Sequence, residues 1–297
     1  MNAQKNKYKI LVYSAGVIGS VYAVLLAKAG HDIYMYARGT RLQQLKEKGL
    51  LYKGKKGICS APIQLLEEIK PQDTFDYLLV TVRYGQAEDV LAQLRTNQSP
   101  NIVTMVNNPN GYTSWENLLG KGRLMPAFAG AGGEIKEGIL YYRLTPRFVQ
   151  PTTIGEISGK ATRRLKQLYA VLQQAHIPAS ISSNMGAWQK CHLAMVVPLA
   201  NGIYYDGGDI RSTAKNKMAI HSISLALRTN FNRLHAIKVP ITPAKLNLFR
   251  LCPLWMMDFV LKSIYSTRFG ETLIGRHASN AKKEMQRLDA DLKQLLQ

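Results

Sequence analysis

Tyr8-Lys9-Ile10-Leu11-Val12-Tyr13 runs directly into Ser14-Ala15-Gly16-Val17-Ile18-Gly19 near the start of the chain. The first six residues form a short apolar run, the composition of a strand buried on both faces. Residues 17–29 read as a helix stopped by Gly30, and residues 32–36 as a second strand. Strand, glycine turn, helix and strand in so short a span make a βαβ unit. The turn fits the pattern G-x-G-x-x-G with Ser14 in the first position, which is the pattern that binds dinucleotides. In that reading Gly16 lets a pyrophosphate approach the backbone, and Gly19 lets helix and strand pack closely. The amides of Ser14 to Gly19 would then face the phosphates. Ser14 carries strain if its position needs a positive φ, where glycine carries none.

The same texture continues along the chain. Residues 40–48 read as a helix closed by Gly49. Residues 77–82 and 102–106 read as further buried strands, with a helix near 86–94 between them. Strands alternating with helices predict a doubly wound parallel sheet, a Rossmann-type α/β domain. Residues 130–147, rich in Gly, Tyr and Leu, are expected as antiparallel strands at the sheet edge. Residues 152–157 are expected as a last strand and 161–174 as a basic helix. Beyond residue 182 the strand signals fade, and helical spacing takes over at 188–200, 217–236, 254–265 and 278–296. The last carries Ala281, Met285, Leu288, Leu292 and Leu296 on one face. The expected domains are therefore 1–182, Rossmann-like, and 183–297, all helical.

Composition narrows the function classes. The 297 residues, 46% of them hydrophobic and 20% charged, suit a two-domain globular chain. Thirty-nine Lys and Arg against nineteen Asp and Glu give a net charge of +20. The excess is spread over both halves, with no basic tail and no nucleic-acid motif. It therefore reads as a field that attracts anions rather than as a nucleic-acid footprint. Cys59, Cys191 and Cys252 are dispersed and odd in number, which fits a reducing, cytoplasmic setting. No grouping of His, Cys or acidic residues has metal-ligand spacing. Lys5, Lys7 and Lys9 before the uncharged run 10–27 imitate an export signal, but Ser14, Gly16 and Gly19 interrupt it. A strand, turn and helix explain it better. No stretch suggests a membrane partner.

The second strand ends in Tyr36-Ala37-Arg38-Gly39-Thr40-Arg41. A site for an unphosphorylated ribose would hold Asp or Glu here. Arg38 offers a guanidinium fork instead, which suits a 2′-phosphate, so NADP(H) is expected over NAD(H). Arg41, one turn along, either adds to that cationic end or is a surface arginine of a basic protein.

These residues resemble the ketopantoate reductase (2-dehydropantoate 2-reductase) family. The resemblance rests on Ser14 to Gly19, the strand end Ala37-Arg38-Gly39, the helix end Leu42…Lys48-Gly49-Leu50, and Thr153-Ile154-Gly155-Glu156. It implies a Rossmann domain joined to a helical one, and NADPH-dependent reduction of a 2-keto acid, ketopantoate to pantoate in pantothenate biosynthesis. It implies that Arg83, closing Leu79-Val80-Thr81-Val82, supplies a charge near the cofactor. It puts Asn108, in Asn107-Asn108-Pro109-Asn110-Gly111, at the family's active-site Asn beside cofactor and substrate. Trp188-Gln189-Lys190 matches the segment of the catalytic lysine, and Gly270-Glu271 that of its carboxylate partner. Hydride attack on a ketone leaves an alkoxide, and the Lys190 ammonium could polarise the carbonyl and donate the proton. Two departures stand out. Ala194 and Pro198 occupy positions where the family carries Asn, and Pro253-Leu254-Trp255 replaces a serine-bearing segment. A pocket without those donors favours a more apolar keto acid. The alternatives are thus a paralogue acting on a different keto acid, or a non-catalytic NADP-binding regulator. The expected partners are a small-molecule keto acid and, in a homodimer, a second copy of this chain. His176 and His192 read as structural; Trp188, Met195, Trp255 and Met256 read as core; Cys191 lacks a paired base.

Overall fold

The computed structural model describes residues 7–267, residue 270 and residues 282–297. The chain forms two compact units. The first runs through Val106 and resumes over Tyr112–Met185. The second comprises Asn107–Gly111 and Gly186–Gln297. The division thus falls three residues past the expected boundary, and a five-residue loop from the first half clusters with the helical unit.

In the first unit β1 (Lys9–Tyr13), α1 (Val17–Lys28), β2 (Asp32–Tyr36) and α2 (Gly39–Lys48) come in the order read from sequence. Three short strands follow: β3 (Leu50–Gly54), β4 (Gly57–Ala61) and β5 (Gln64–Leu66). Then come β6 (Tyr77–Val80), α3 (Ala87–Gln93), β7 (Ile102–Thr104), α4 (Thr113–Leu119) and β8 (Leu124–Phe128). β9 (Ala131–Lys136), β10 (Ile139–Leu144), β11 (Thr152–Gly155), α5 (Arg163–Gln174) and β12 (Ala179–Ser182) complete it.

The main sheet has the order β5-β2-β1-β6-β7-β8-β11-β12. From β5 to β8 all pairs are parallel, whereas β11 runs antiparallel to β8. Within the parallel part, the strands follow the doubly wound order in which the chain reverses direction between β1 and β6. The register sets Ile10 opposite Ile33 and Tyr77, and Val12 opposite Met35 and Leu79. β6 and β7 are buried along their whole lengths, as central parallel strands must be, while β2, nearer the edge, alternates.

The segment expected at the edge of this sheet lies elsewhere. β9 and β10 form a hairpin in a separate four-stranded sheet, of order β4-β3-β10-β9. Its turn, Glu137-Gly138, has φ of 52° and 84°, the two positive values that a tight primed hairpin turn requires. This sheet packs on α1, which also lies against β1 and β2 of the main sheet. α1 is consequently buried over nine consecutive residues, Gly19 to Ala27, and its sequence is apolar all round instead of striped.

The second unit contains α6 (Met185–Tyr205), α7 (Ile210–Lys215), α8 (Lys217–Ala236), α9 (Leu248–Leu251), α10 (Leu254–Tyr265) and a last helix, Lys282–Leu295. Asn216 caps α8, its side chain accepting from the amides of Met218 and Ala219. Pro198 lies inside α6, so the carbonyl of Ala194, four residues back, loses its helical donor. Asn230 Nδ2 from α8 donates to that carbonyl at 3.2 Å and replaces the missing N–H. Of the five residues expected on one face, Met285, Leu288, Leu292 and Leu296 are buried, and Ala281 lies outside the described residues.

Two expected core residues are not in the core: Trp255 is 69% exposed and Met256 39%, because α10 turns Met257, Leu261 and Tyr265 inward instead. Among the described residues no helix is long and apolar enough to cross a membrane. The three cysteines are free thiols.

Candidate functional site

The reversal between β1 and β6 puts the C-terminal ends of those strands side by side, where open α/β sheets bind their ligands. Ser14 leaves β1 with φ of 102°, so the strain foreseen for a non-glycine residue at this position is present. Its amide donates to Tyr36 O at 3.3 Å, tying the turn to the end of β2. Thr81, just past β6, donates from Oγ1 to the carbonyls of Tyr13 (3.2 Å) and Ser14 (3.4 Å).

The two glycines of the turn have different reasons to be there. A Cβ on Gly19 would lie 2.0 Å from Ser14 O, 2.7 Å from Thr81 Oγ1 and 3.0 Å from Val12 Cγ1. Only a bare α-carbon lets α1 come this close to the strands. A Cβ on Gly16 would meet nothing nearer than Ser14 Oγ, at 3.7 Å. Packing within the chain does not demand this glycine; its exposed α-carbon leaves room for a ligand against the backbone. The first turn of α1 carries no acidic residue and no side-chain cap, and Gly16 before it is exposed; uncapped amides at the positive end of a helix dipole are the setting that binds phosphate. The residues present thus fit a dinucleotide.

Arg38 precedes α2, exposed, with its guanidinium 5.9 Å from the centre of the Tyr36 ring. It makes no ion pair among the described residues. Tyr36 in turn lies against Tyr13 (ring centres 4.8 Å apart), whose hydroxyl donates to Gln93. Burial, with the neighbouring Tyr36 adding to it and Arg38 opposing, raises the Tyr13 pKa. Arg83 is exposed at the start of the short turn Tyr84–Gln86. Of the two readings open for Arg41, the surface arginine is not the one found. It is half-buried, donating from Nε to Ala15 O (3.2 Å) and from Nη1 to Gly138 O (3.4 Å).

In the helical unit, α6 carries Lys190, half-buried and without an ion pair among the described residues. Its neighbour Gln189 is fully buried and accepts from the Asn108 amide at 3.4 Å. This bond holds the loop Asn107–Gly111 against the lysine helix. Asn108 itself is 2% exposed and spends its side chain inside the loop: Nδ2 donates to Gly111 O at 2.6 Å, and Oδ1 accepts from Asn110 N at 3.0 Å. It shapes the loop. Asn107, which sequence reasoning passed over, has a buried Oδ1 with no hydrogen-bond partner among the described residues. Trp188 and His192 stack one helical turn apart, 5.2 Å between ring centres. Cys191 is buried and accepts from Thr242 N; burial pushes its thiol pKa up, the opposite of what a nucleophile needs. Ala194 and Pro198 are both buried and offer no side-chain donor. Glu271 lies outside the described residues.

A doubly wound sheet with an open glycine turn at its switch point, followed by a helical second unit, defines a Rossmann-type two-unit fold. Residues 10–159, about half of the chain, match the family model described as Ketopantoate reductase PanE/ApbA, and the chain belongs to that family. A 2-dehydropantoate 2-reductase of Aquifex aeolicus is 26% identical over 176 residues, 57% of this chain and 54% of that protein. The chain thus spans about half the length of that relative. The crystal structure of 2-dehydropantoate 2-reductase from Geobacter metallireducens has a TM-score of 0.67 at 16% identity, covering 96% of this chain and 99% of the other. The ternary structure of D-mandelate dehydrogenase with NADH and anilino(oxo)acetate has a TM-score of 0.66 at 17% identity, covering 97% and 99%. At such identities these likenesses establish the fold.

Proposed function

We propose that this protein reduces a 2-keto acid with NADPH, with 2-dehydropantoate, the precursor of pantoate in pantothenate biosynthesis, as the first substrate to test. The observation that carries the reading is the open face of Gly16 at the sheet's switch point, where the chain leaves space that its own packing does not need. Gly16 and the first turn of α1 hold the pyrophosphate. Arg38, free of ion pairs among the described residues, takes the 2′-phosphate through its fork. Arg83 adds positive charge beside the same ligand. The nicotinamide, when bound, supplies the hydride. Lys190 Nζ hydrogen-bonds the ketone oxygen, stabilises the negative charge that develops there, and gives up a proton to complete the alcohol. Glu271 is the expected carboxylate partner of Lys190. Asn108 acts by fixing the loop that Gln189 anchors.

The test is a titration of the protein with NADPH and NADH, followed by single-turnover loss of reduced-nicotinamide absorbance with a panel of 2-keto acids. Lys190→Ala should abolish turnover and leave NADPH binding intact. Turnover as fast as wild type in that variant removes Lys190 from the mechanism. NADH bound as tightly as NADPH, or a preference unmoved by Arg38→Ala, removes the 2′-phosphate assignment.

A second reading is favoured by Ala194 and Pro198, whose burial on α6 leaves no side-chain donor at either position. On that reading the substrate is a more apolar 2-keto acid, in keeping with the structural neighbour that binds anilino(oxo)acetate. A kcat/KM for an aromatic or branched 2-keto acid well above that for 2-dehydropantoate would select it. Tight NADPH binding with no turnover of any keto acid would point instead to a regulatory role.

A further inference from the structure

We propose that Arg41 is a positioning residue for the phosphate turn: it fixes the Ala15–Gly16 peptide so that the Gly16 amide points at the pyrophosphate. The proposal rests on the dinucleotide reading above. Ala15 O accepts two hydrogen bonds, from Arg41 Nε at 3.2 Å and from Ser20 Oγ at 3.3 Å. Both donors reach it from helices, Arg41 from α2 and the buried Ser20 from α1. A trans peptide is planar, and its N–H points opposite to its C=O. Clamping the Ala15 carbonyl inward therefore drives the Gly16 N–H outward, onto the exposed face that a Cβ would partly cover. Without the clamp, that peptide could rotate, and Gly16, lacking a side chain, would resist rotation least of any residue.

The guanidinium pays a desolvation cost to be there. Burial lowers the Arg41 pKa, and its Nη2 is buried with no hydrogen-bond partner among the described residues. Its Nη1 reaches Gly138 O at 3.4 Å in the β9–β10 turn and Gln44 Oε1 at 3.3 Å. One side chain thus ties the phosphate turn to α2 and to the hairpin of the second sheet. A fork is needed to bridge carbonyls in two directions, which a lysine cannot do. The cation also lies one carbonyl away from the docking face and favours any phosphate there, whichever ribose follows.

The two arginines, three residues apart, therefore have separable signatures. Arg38 discriminates the 2′-phosphate, whereas Arg41 serves the pyrophosphate common to both cofactors. Dissociation constants for NADPH and NADH are to be measured on wild type, Arg41→Ala, Arg41→Lys and Arg38→Ala, below the melting temperature of each. Arg41→Ala should weaken both cofactors by about tenfold, the scale of one well-made hydrogen bond, with their ratio unchanged. Arg41→Lys should recover part of the loss, and Arg38→Ala should weaken NADPH selectively. Where the alanine variant does not fold, Arg41→Lys decides alone: a loss of roughly threefold or more, equal for the two cofactors, supports the proposal. Constants within twofold of wild type in a folded Arg41 variant, or a loss confined to NADPH, overturn it. If wild type binds neither cofactor, the dinucleotide reading itself has failed, a result distinct from either of these.

Discussion

Replacing Ser14 by glycine should make the protein more stable, although it removes atoms and adds no contact. Ser14 has φ of 102°, outside even the narrow left-handed well near 50–70° that other residues visit. Holding a side chain there costs about 1–3 kcal/mol. Glycine relieves most of that strain but enlarges the unfolded ensemble, at about 0.5–1 kcal/mol. The Ser14 hydroxyl makes no hydrogen bond among the described residues, so nothing else is lost. The net gain is about 1 kcal/mol, or about 2–4 °C in the melting transition of a unit this size. Differential scanning calorimetry and urea unfolding on Ser14→Gly read it directly. Lys238→Gly is the control: its φ of 59° lies inside the left-handed well, strain relief and entropy nearly cancel, and Tm should barely move. A Ser14→Gly protein that melts at or below wild type would refute the strain argument.

Three other outcomes follow from the geometry. Gly19→Ala drives a Cβ into Ser14 O and Thr81 Oγ1; α1 must lift from the sheet, at a cost of about 3 kcal/mol or more, and NADPH titration should show binding lost even where circular dichroism shows a folded chain. Asn230→Ala strands the Ala194 carbonyl that Pro198 already deprived of its donor; about 1–3 kcal/mol should go, and Pro198→Ala in the same chain should erase much of the loss in a double-mutant cycle. Tyr22, buried and bonded through its hydroxyl to Thr152 Oγ1, has its pKa raised by desolvation. A raised folded-state pKa gives stability that is whole below about pH 10 and is lost as pH climbs toward the folded value. Urea midpoints should therefore fall through the alkaline range, and Tyr22→Phe should flatten that slope by about 1.4 kcal/mol per pH unit.

How much of this was legible varies with how local the signal is. β1, the glycine turn and α1 were readable because apolar run, turn chemistry and helix composition stand next to one another. α8 and α10 begin and end where their sequences predict, at Lys217–Ala236 and Leu254–Tyr265, because Asn216 and Pro253 mark their starts. The second sheet was not legible. Its strands have five or six residues, Lys53, Lys55 and Lys56 break up the β3–β4 pattern, and its central pairing sets Leu51 beside Ile139. Nothing in either stretch announces a partner so distant in sequence. The site divides in the same way. The turn that carries the glycines and the strand end that carries Arg38 could be placed in the fold from spacing alone. Arg41 looked like another surface cation because its carbonyl partners, Ala15 and Gly138, belong to different sheets' connections. Asn108 and Asn107 are neighbours of one type, and only the folded loop tells the one that builds it from the one whose oxygen is left over.

The helical unit is discontinuous in sequence: its five-residue insert, Asn107–Gly111, is encoded some eighty residues before the rest of it, and one of its amides meets Gln189 beside the proposed proton donor. A chimera spliced at Met185 would therefore inherit the lysine helix from one parent and the segment that buttresses it from the other. Exchanging substrate preference between relatives by a single crossover should fail for that reason. Two crossovers that carry the pentapeptide along with the carboxy-terminal half form the smallest transferable cassette.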